Sequence, residues 1–321
     1  LVVPASRNFN ASRLDIRSAV LSISALSSFI YTIIEIPVHG IFDSRVMIAA
    51  ALAVITGIVF VLRQRRISNP LIDVYLFKNR QFSSSVLPIS VMSLGIGGVM
   101  FLMTQFLQVV LGYGPMEAGL RMFVPIMIGY AIGAGLSPKL EAMFGTRIVV
   151  LTGLLIVSVF FTGFVFSTPE TSYYLIAAGI VGISLGIGMA MTPATSAVMG
   201  AVPGGHTGVG SAMNDATREI GTALGIAVMG SIANSIFGVG MSEVTATLPA
   251  DVATVATDSV GGAIAVAESL GGVVGESLRT TGVQVFMDAL GIAFAVAGLT
   301  SAAAAAVVFK FMPKKGETQD A

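Results

Sequence analysis

Long, uninterrupted apolar runs limit what this chain can become. A helix needs roughly 20 predominantly apolar residues to cross the hydrocarbon core of a bilayer, and runs of that order lie at about 18–36, 46–62, 85–111, 119–137, 148–166, 173–192, 211–236 and 284–309. Of the 321 residues, 55% are hydrophobic and 11% are charged, where a soluble domain carries about 25% charged side chains. Water is not a solvent for so much apolar surface. A backbone in lipid must satisfy its own hydrogen bonds, which a helix does within one segment. The expected fold is therefore all-α, a polytopic transmembrane helix bundle of about eight spans, with the lipid bilayer as its first partner.

Charge orients the spans, because basic residues near span ends stay on the cytoplasmic side. They gather at alternate connections: Arg7, Arg13 and Arg17 before the first span; Arg63, Arg65, Arg66, Lys78 and Arg80 after the second; Lys139 and Arg147 after the fourth; Arg218 before the seventh; Lys310, Lys314 and Lys315 at the end. Arg45 and Arg279 sit in the opposite connections, and Arg121 at a helix start. Both ends of the chain are thus expected inside. The divisions that follow are a cytoplasmic lead-in (1–17), a helix pair (18–62), a cytoplasmic interfacial linker (63–84), a six-helix unit (85–309) with an extracellular loop at about 237–283, and a cytoplasmic tail (310–321). That loop holds Glu243, Asp251, Asp258, Glu268 and Glu276 and suits weak amphipathic helix. A ninth span through 259–275 is the competing reading; Glu268, the recurring glycines and the terminal lysines that it would place outside all count against it.

Within the linker, residues 70–82 mix Leu71, Ile72, Leu76, Phe77 and Phe82 with Asp73, Lys78 and Arg80, the pattern of a helix or turn in the headgroup layer. Inside the spans, Gly129/Gly133, Gly182/Gly186 and Gly221/Gly225 have the small-xxx-small spacing that lets helices approach closely. The sixteen methionines either fill gaps between helices or adapt to varied ligands.

Cys is absent, and His39 and His206 are too few and too far apart for a cluster, so no metal site, cofactor or catalytic constellation is expected. Trp is absent too, which leaves Tyr31, Tyr113, Tyr173 and Tyr174 for the interfacial belt. The glycine-rich stretch 204–211 lacks the Gly-Lys pair and preceding strand of a phosphate-binding loop. No basic patch for nucleic acid is present. The chain opens with Leu1 and without a signal-peptide pattern, which reads as a fragment.

Four ordered stretches, 13–40, 65–82, 101–125 and 208–232, together with their spacing, resemble the fourteen-span drug:proton antiporter branch of the major facilitator superfamily, from its seventh span to its end. The resemblance implies that the first two spans are the pair inserted between two six-helix halves, that the remaining six are the second half, and that an N-terminal six-helix half is missing from this chain. The segment 135–147 is similar to the family's cytoplasmic G-x-x-x-D-x-x-G-R loop. Gly135, Gly145 and Arg147 match, and Glu141 stands near the place of the acid.

The candidate working residues each carry two readings. Glu35, near the outer end of the first span, is either a proton site or a hydrated helix end. Gln105 and Gln108, three apart on one helical face, are a polar spot in an apolar cavity or an interhelical bond. Glu117 and Arg121 have the spacing of an intrahelical pair, and the resemblance implies that Arg121 helps close an outer gate. Asn214, Asp215, Arg218 and Glu219 open the seventh span; Arg218 either neutralises one acid and leaves the other to titrate, or the group is an inner-surface charge cluster. Asp288, a turn into the last span, is read as Glu35 is.

The functional expectation, implied by the resemblance, is proton-coupled export of small amphiphilic or cationic compounds by alternating access, with protons and the exported compound as partners and the plasma (inner) membrane as location. A non-transporting membrane scaffold or assembly subunit is the alternative.

Overall fold

A computed structural model describes residues 15–67, 70–72, 74–201 and 207–313. The expectations placed on Arg7, Arg13, Asp73, His206, Lys314 and Lys315, and on 204–206 of the glycine-rich stretch, lie outside the described residues.

The chain folds as helix throughout, with no strand among the described residues. The order is α1 (Ile16–His39), α2 (Ser44–Gln64), a 3-10 turn (Val74–Lys78), α3 (Arg80–Gln105) running into a π segment (Phe106–Val110), α4 (Pro115–Phe144), α5 (Thr146–Gly163), α6 (Tyr173–Gly200), α7 (Thr207–Thr245), α8 (Ala250–Asp258), α9 (Val260–Leu270) and α10 (Gly272–Phe311). Eight of these are long and apolar enough to span a bilayer, and they coincide with the eight runs read from the sequence. The protein is a multi-pass integral membrane protein. We call the end that carries Asp15 the near end and the end that carries His39 the far end.

The stretch 237–283, where weak amphipathic helix is expected, is helical almost throughout. α7 continues to Thr245, α10 begins at Gly272, and α8 and α9 fill the interval. At about 1.5 Å per residue the 40-residue α10 is some 60 Å long, twice the hydrocarbon thickness. Both long helices therefore project from the bilayer at the far end. The 11-residue α9 is too short to span. It persists because Val260, Ala263, Val266 and Ala267 bury against its neighbours, so tertiary packing supplies what its glycines withhold.

α4 packs on α6, α3 on α7, and α5 on α6 and α10, while α1 pairs with α2 and meets the bundle through α7. Small residues set these approaches. A Cβ on Gly221 would lie 2.8 Å from the Ser90 carbonyl, and one on Gly225 would collide with the Leu94 carbonyl. Gly129 and Gly133 meet the α6 backbone in the same way, and Gly186 meets α5 at Gly153. The small-residue spacings thus mark helix contacts. Ser93, whose buried hydroxyl has no partner among the described residues, sits beside Gly221, where its size is what fits.

Prolines within the spans create a further bond type. A proline has no N–H, so the carbonyl four residues earlier loses its helical partner. Pro37 frees the Ile33 carbonyl, which accepts from the Ser231 hydroxyl of α7 at 2.9 Å. Pro125 frees that of Arg121, which accepts from the Tyr173 hydroxyl of α6 at 3.0 Å. Pro193 frees that of Met189, which accepts from the buried Ser137 hydroxyl of α4 at 2.9 Å. In each case a neighbouring helix supplies the missing donor, as a lipid-embedded backbone requires. Threonines within the spans, such as Thr32, Thr56 and Thr192, instead donate to their own helix four residues back.

Candidate functional site

The far end carries the most elaborate polar constellation. Gly112, at φ +70°, turns the chain after α3, and α4 opens with Pro115 at its first position, where a missing N–H costs nothing. Two turns on, Arg121 reaches back to Glu117, Nε to Oε1 at 2.8 Å, the i,i+4 pair that the sequence spacing predicts. Its guanidinium lies between two rings, 4.4 Å from the Tyr113 centroid and 4.6 Å from that of Tyr173. Those rings meet edge to face at 6.4 Å. Tyr113 belongs to the connection after α3 and Tyr173 opens α6, so one arginine ties three segments together through cation–π contact. The Tyr173 hydroxyl completes the clasp on the carbonyl that Pro125 frees. Tyr113 and Tyr173 stand out in the sequence only as belt residues; the proline at 125 is the signal that a donor must come from elsewhere.

Gln105 ends α3 and Gln108 lies in the π segment, both half-buried. The Leu111 N–H bonds the Phe106 carbonyl, five residues back, and this wider turn departs from the α-helical spacing used to put both amides on one face. Neither amide has a hydrogen-bond partner among the described residues. They also stand apart from the internal cavity of about 60 Å³ bordered by Met100, Ile126, Tyr130, Ile183, Ser184 and Ile187. Its size falls far below the roughly 300–1,000 Å³ of a small-molecule site.

Glu35 is bonded to the His39 ring nitrogen Nδ1 at 2.8 Å. The two residues have the i,i+4 spacing of a helical pair. Asp288 faces outward and accepts from Gln284 at 3.3 Å. At the near end of α7, Asn214 is buried and its Oδ1 accepts from Thr195 of α6 at 3.4 Å. Asp215, Arg218 and Glu219 all point outward, and no ion pair forms among them. The neutralising contact, one of the two readings of Arg218, is not made: exposure leaves each charge to solvent, which competes well with a surface pair.

Other near-end residues are held firmly. Gly145 joins α4 to α5 at φ +84°, a conformation that a side chain would strain. Beside it, Glu141 accepts from the Thr146 hydroxyl at 2.6 Å, while Arg147 donates to the Phe309 carbonyl of α10 and lies 4.7 Å from the Phe309 ring centroid. Gly135 faces open space.

A network absent from the sequence reading joins α1 to α2. Arg63 is bidentate on Asp15 at 2.9–3.0 Å, the Ser18 hydroxyl donates to Asp15 at 2.6 Å, and the Gln64 amide donates to Ser18 at 2.7 Å. Hydrogen bonds from Arg63 and then Ser18 hold the Asp15 carboxyl down at about 2. Asp15 and Arg63 are 48 residues apart, beyond any spacing rule.

Comparison with known proteins supplies the frame. The chain is similar to the multidrug efflux pump LfrA of Mycolicibacterium smegmatis, 29% identical over 96% of this chain and 60% of the relative. It is similar to the multidrug resistance protein Stp of Mycobacterium tuberculosis, 32% identical over 72% of this chain and 42% of the relative. To the tetracenomycin C resistance and export protein of Streptomyces glaucescens it is 25% identical over 91% of this chain and 55% of the relative. The chain thus spans about half the length of the relatives it matches. Residues 16–226 match the model of the Major Facilitator Superfamily, from the first turn of α1 to the middle of α7. With eight lipid-spanning helices of the expected order, the chain belongs to the Major Facilitator Superfamily, a family of transporters and not of enzymes.

Proposed function

We propose that this chain is the C-terminal portion of a drug:proton antiporter that exports small amphiphilic or cationic compounds by alternating access from the plasma membrane, its near end cytoplasmic. The observation that carries the reading is the Arg121 clasp. It joins three segments at the end of the bundle opposite the basic connections, through contacts that can open without breaking a helix. In this reading the clasp is the outer gate, and the tether of Arg147 to Phe309 is its counterpart inside.

The names of the relatives support the substrate class, and the small internal cavity supports a site completed by a further six-helix half. On this reading the pair 18–62 is inserted between halves and 85–309 is the second half, with 237–283 outside. Gln105 and Gln108, half-buried and without a hydrogen-bond partner among the described residues, supply hydrogen bonds to the compound. Glu35, Asp215, Glu219 and Asp288 are the carboxylates from which the titrating group is drawn, with Asn214 and Arg218 beside two of them. Gly135, Glu141, Gly145 and Arg147 form the cytoplasmic signature loop, in which Glu141 braces Thr146 instead of relaying charge.

The test is efflux of a fluorescent organic cation from proteoliposomes under a pH gradient. The chain joined to a six-helix first half should transport, and the chain by itself should not; equal activity of the two overturns the proposal. In the joined protein Arg121→Ala should lower efflux about tenfold or more, because it removes both ring contacts. Tyr173→Phe, which keeps the ring and loses the hydroxyl, should lower it severalfold.

A further inference from the structure

The near end of the helix pair carries a groove that the transport reading does not use. It holds about 380 Å³ and is bordered by Arg17 and Leu21 of α1, by Val59, Leu62 and Arg63 in the last turns of α2, and by Arg66 and Ile67 just beyond it. Positions 59, 62 and 63 share one face of α2 by the i, i+3, i+4 rule, and the turn that follows the helix, closed by the Arg66 N–H on the Arg63 carbonyl, adds a second guanidinium beyond them. α1 repeats the order in mirror sense, Arg17 in its first turn and Leu21 one turn deeper. The result is an apolar trough with positive charge at its mouth.

The charges there are unequal. Arg63 is bidentate on Asp15, so its charge is balanced within the protein. Arg17 and Arg66 face outward, and neither has a partner among the described residues. The groove mouth therefore presents two guanidinium groups that no described residue compensates, at the helix ends where a membrane places its phosphates. Guanidinium groups form paired bonds to phosphate oxygens, and basic pockets between spans at the headgroup level take up anionic lipids.

We infer that this groove is a binding site for an anionic phospholipid, its headgroup phosphate on Arg17 and Arg66 and an acyl chain along Leu21, Val59 and Leu62. Charge complementarity commits the site to that occupant. A zwitterionic lipid brings its own cation to a mouth that is already doubly positive, and free phosphate leaves the apolar floor uncovered. The site needs only a bilayer around the helices, so it stands or falls independently of the transport reading.

The experiment is native mass spectrometry of the full chain released from nanodiscs of phosphatidylcholine alone or mixed with phosphatidylglycerol. One phosphatidylglycerol should remain bound after release, and phosphatidylcholine should not. R17Q/R66Q should weaken retention roughly twenty-five-fold, about fivefold for each guanidinium removed near a membrane surface. R65Q, which removes an exposed charge at the same end but outside the groove, should leave retention unchanged. Should R17Q/R66Q fail to fold, Val59→Trp keeps every charge and fills the trough, and it should also release the lipid. The inference is overturned if phosphatidylcholine is retained equally, if R65Q loses as much as the double variant, if inorganic phosphate displaces the lipid, or if Val59→Trp retains it.

Discussion

In the six-helix bundle, α3 and α7 approach until Gly225 has no room for a methyl group against the Leu94 carbonyl; in the helix pair, the nearest atom to a Cβ on Gly57 is that of Ala25, at 4.0 Å. The two regions share the same apolar composition and differ in what holds them. Lipid tails are as apolar as leucine, so burying leucine gains little between spans, and close van der Waals contact must do the joining. The bundle has that contact along several interfaces. The bundle leaves most of the pair's surface uncovered, and among the described residues polar groups fasten it at two places, the Asp15–Arg63 network and the Ser231 hydroxyl on the Ile33 carbonyl. Composition marks a span; atomic fit decides how firmly it is held.

The sharpest way to break this comparison is to make the same change on both sides. Gly225→Ala should destabilise the chain by about 3 kcal/mol, because the obstacle is a backbone carbonyl that cannot swing aside. Gly57→Ala should be neutral or stabilising, by at most about 1 kcal/mol from helix propensity. Unfolding in detergent measures both, and equal losses would mean that the two interfaces are equally tight.

Next in size are the proline-linked hydroxyls. Ser137→Ala should cost about 1 kcal/mol for the hydrogen bond lost, and nearly nothing when Pro193→Ala restores an N–H to the Met189 carbonyl; a double-mutant cycle reads the difference. Ser231→Ala and Pro37→Ala form the matching cycle between pair and bundle. There the readout is cross-linking of cysteines introduced into α1 and α7, on a background that contains no Cys. Additive losses in either cycle would separate the hydroxyl from the proline.

The smallest effect depends on pH. Binding by Arg63 lowers the Asp15 carboxyl from the ordinary 3.8 to about 2 in the folded chain. A depressed carboxyl favours the folded state fully above 3.8, and the contribution disappears as pH falls through about 2. Protease access to the near end of the pair, at the start of α1 and the end of α2, should therefore rise across that window, and Asp15→Asn should remove the dependence. An unchanged profile would show that the network does not fasten the pair.

The spans were legible because lipid imposes one length and one rule on every element that crosses it. Their ends were less so: α7 and α10 run on past the bilayer, where alanine and valine sustain a helix that hydropathy alone does not require. The Glu117–Arg121 pair followed from spacing within one helix. Arg63 on Asp15 and the two rings around Arg121 depend on which helices become neighbours, and a linear reading does not contain that. At Asp215, Arg218 and Glu219 spacing gave proximity, but exposure removed the reason to pair.

The carbonyls released by Pro37, Pro125 and Pro193 have a consequence for motion. An ordinary main-chain oxygen in a span is committed to its own coil, and moving it means unwinding a turn inside oil. These three are lent to a neighbour through a single serine or tyrosine oxygen, so a sliding rod can exchange that loan for a water molecule and keep its coil whole. The polypeptide thus has marked seams, one between α1 and α7 and two between α4 and α6, where rigid pieces can part at the expense of one weak link each.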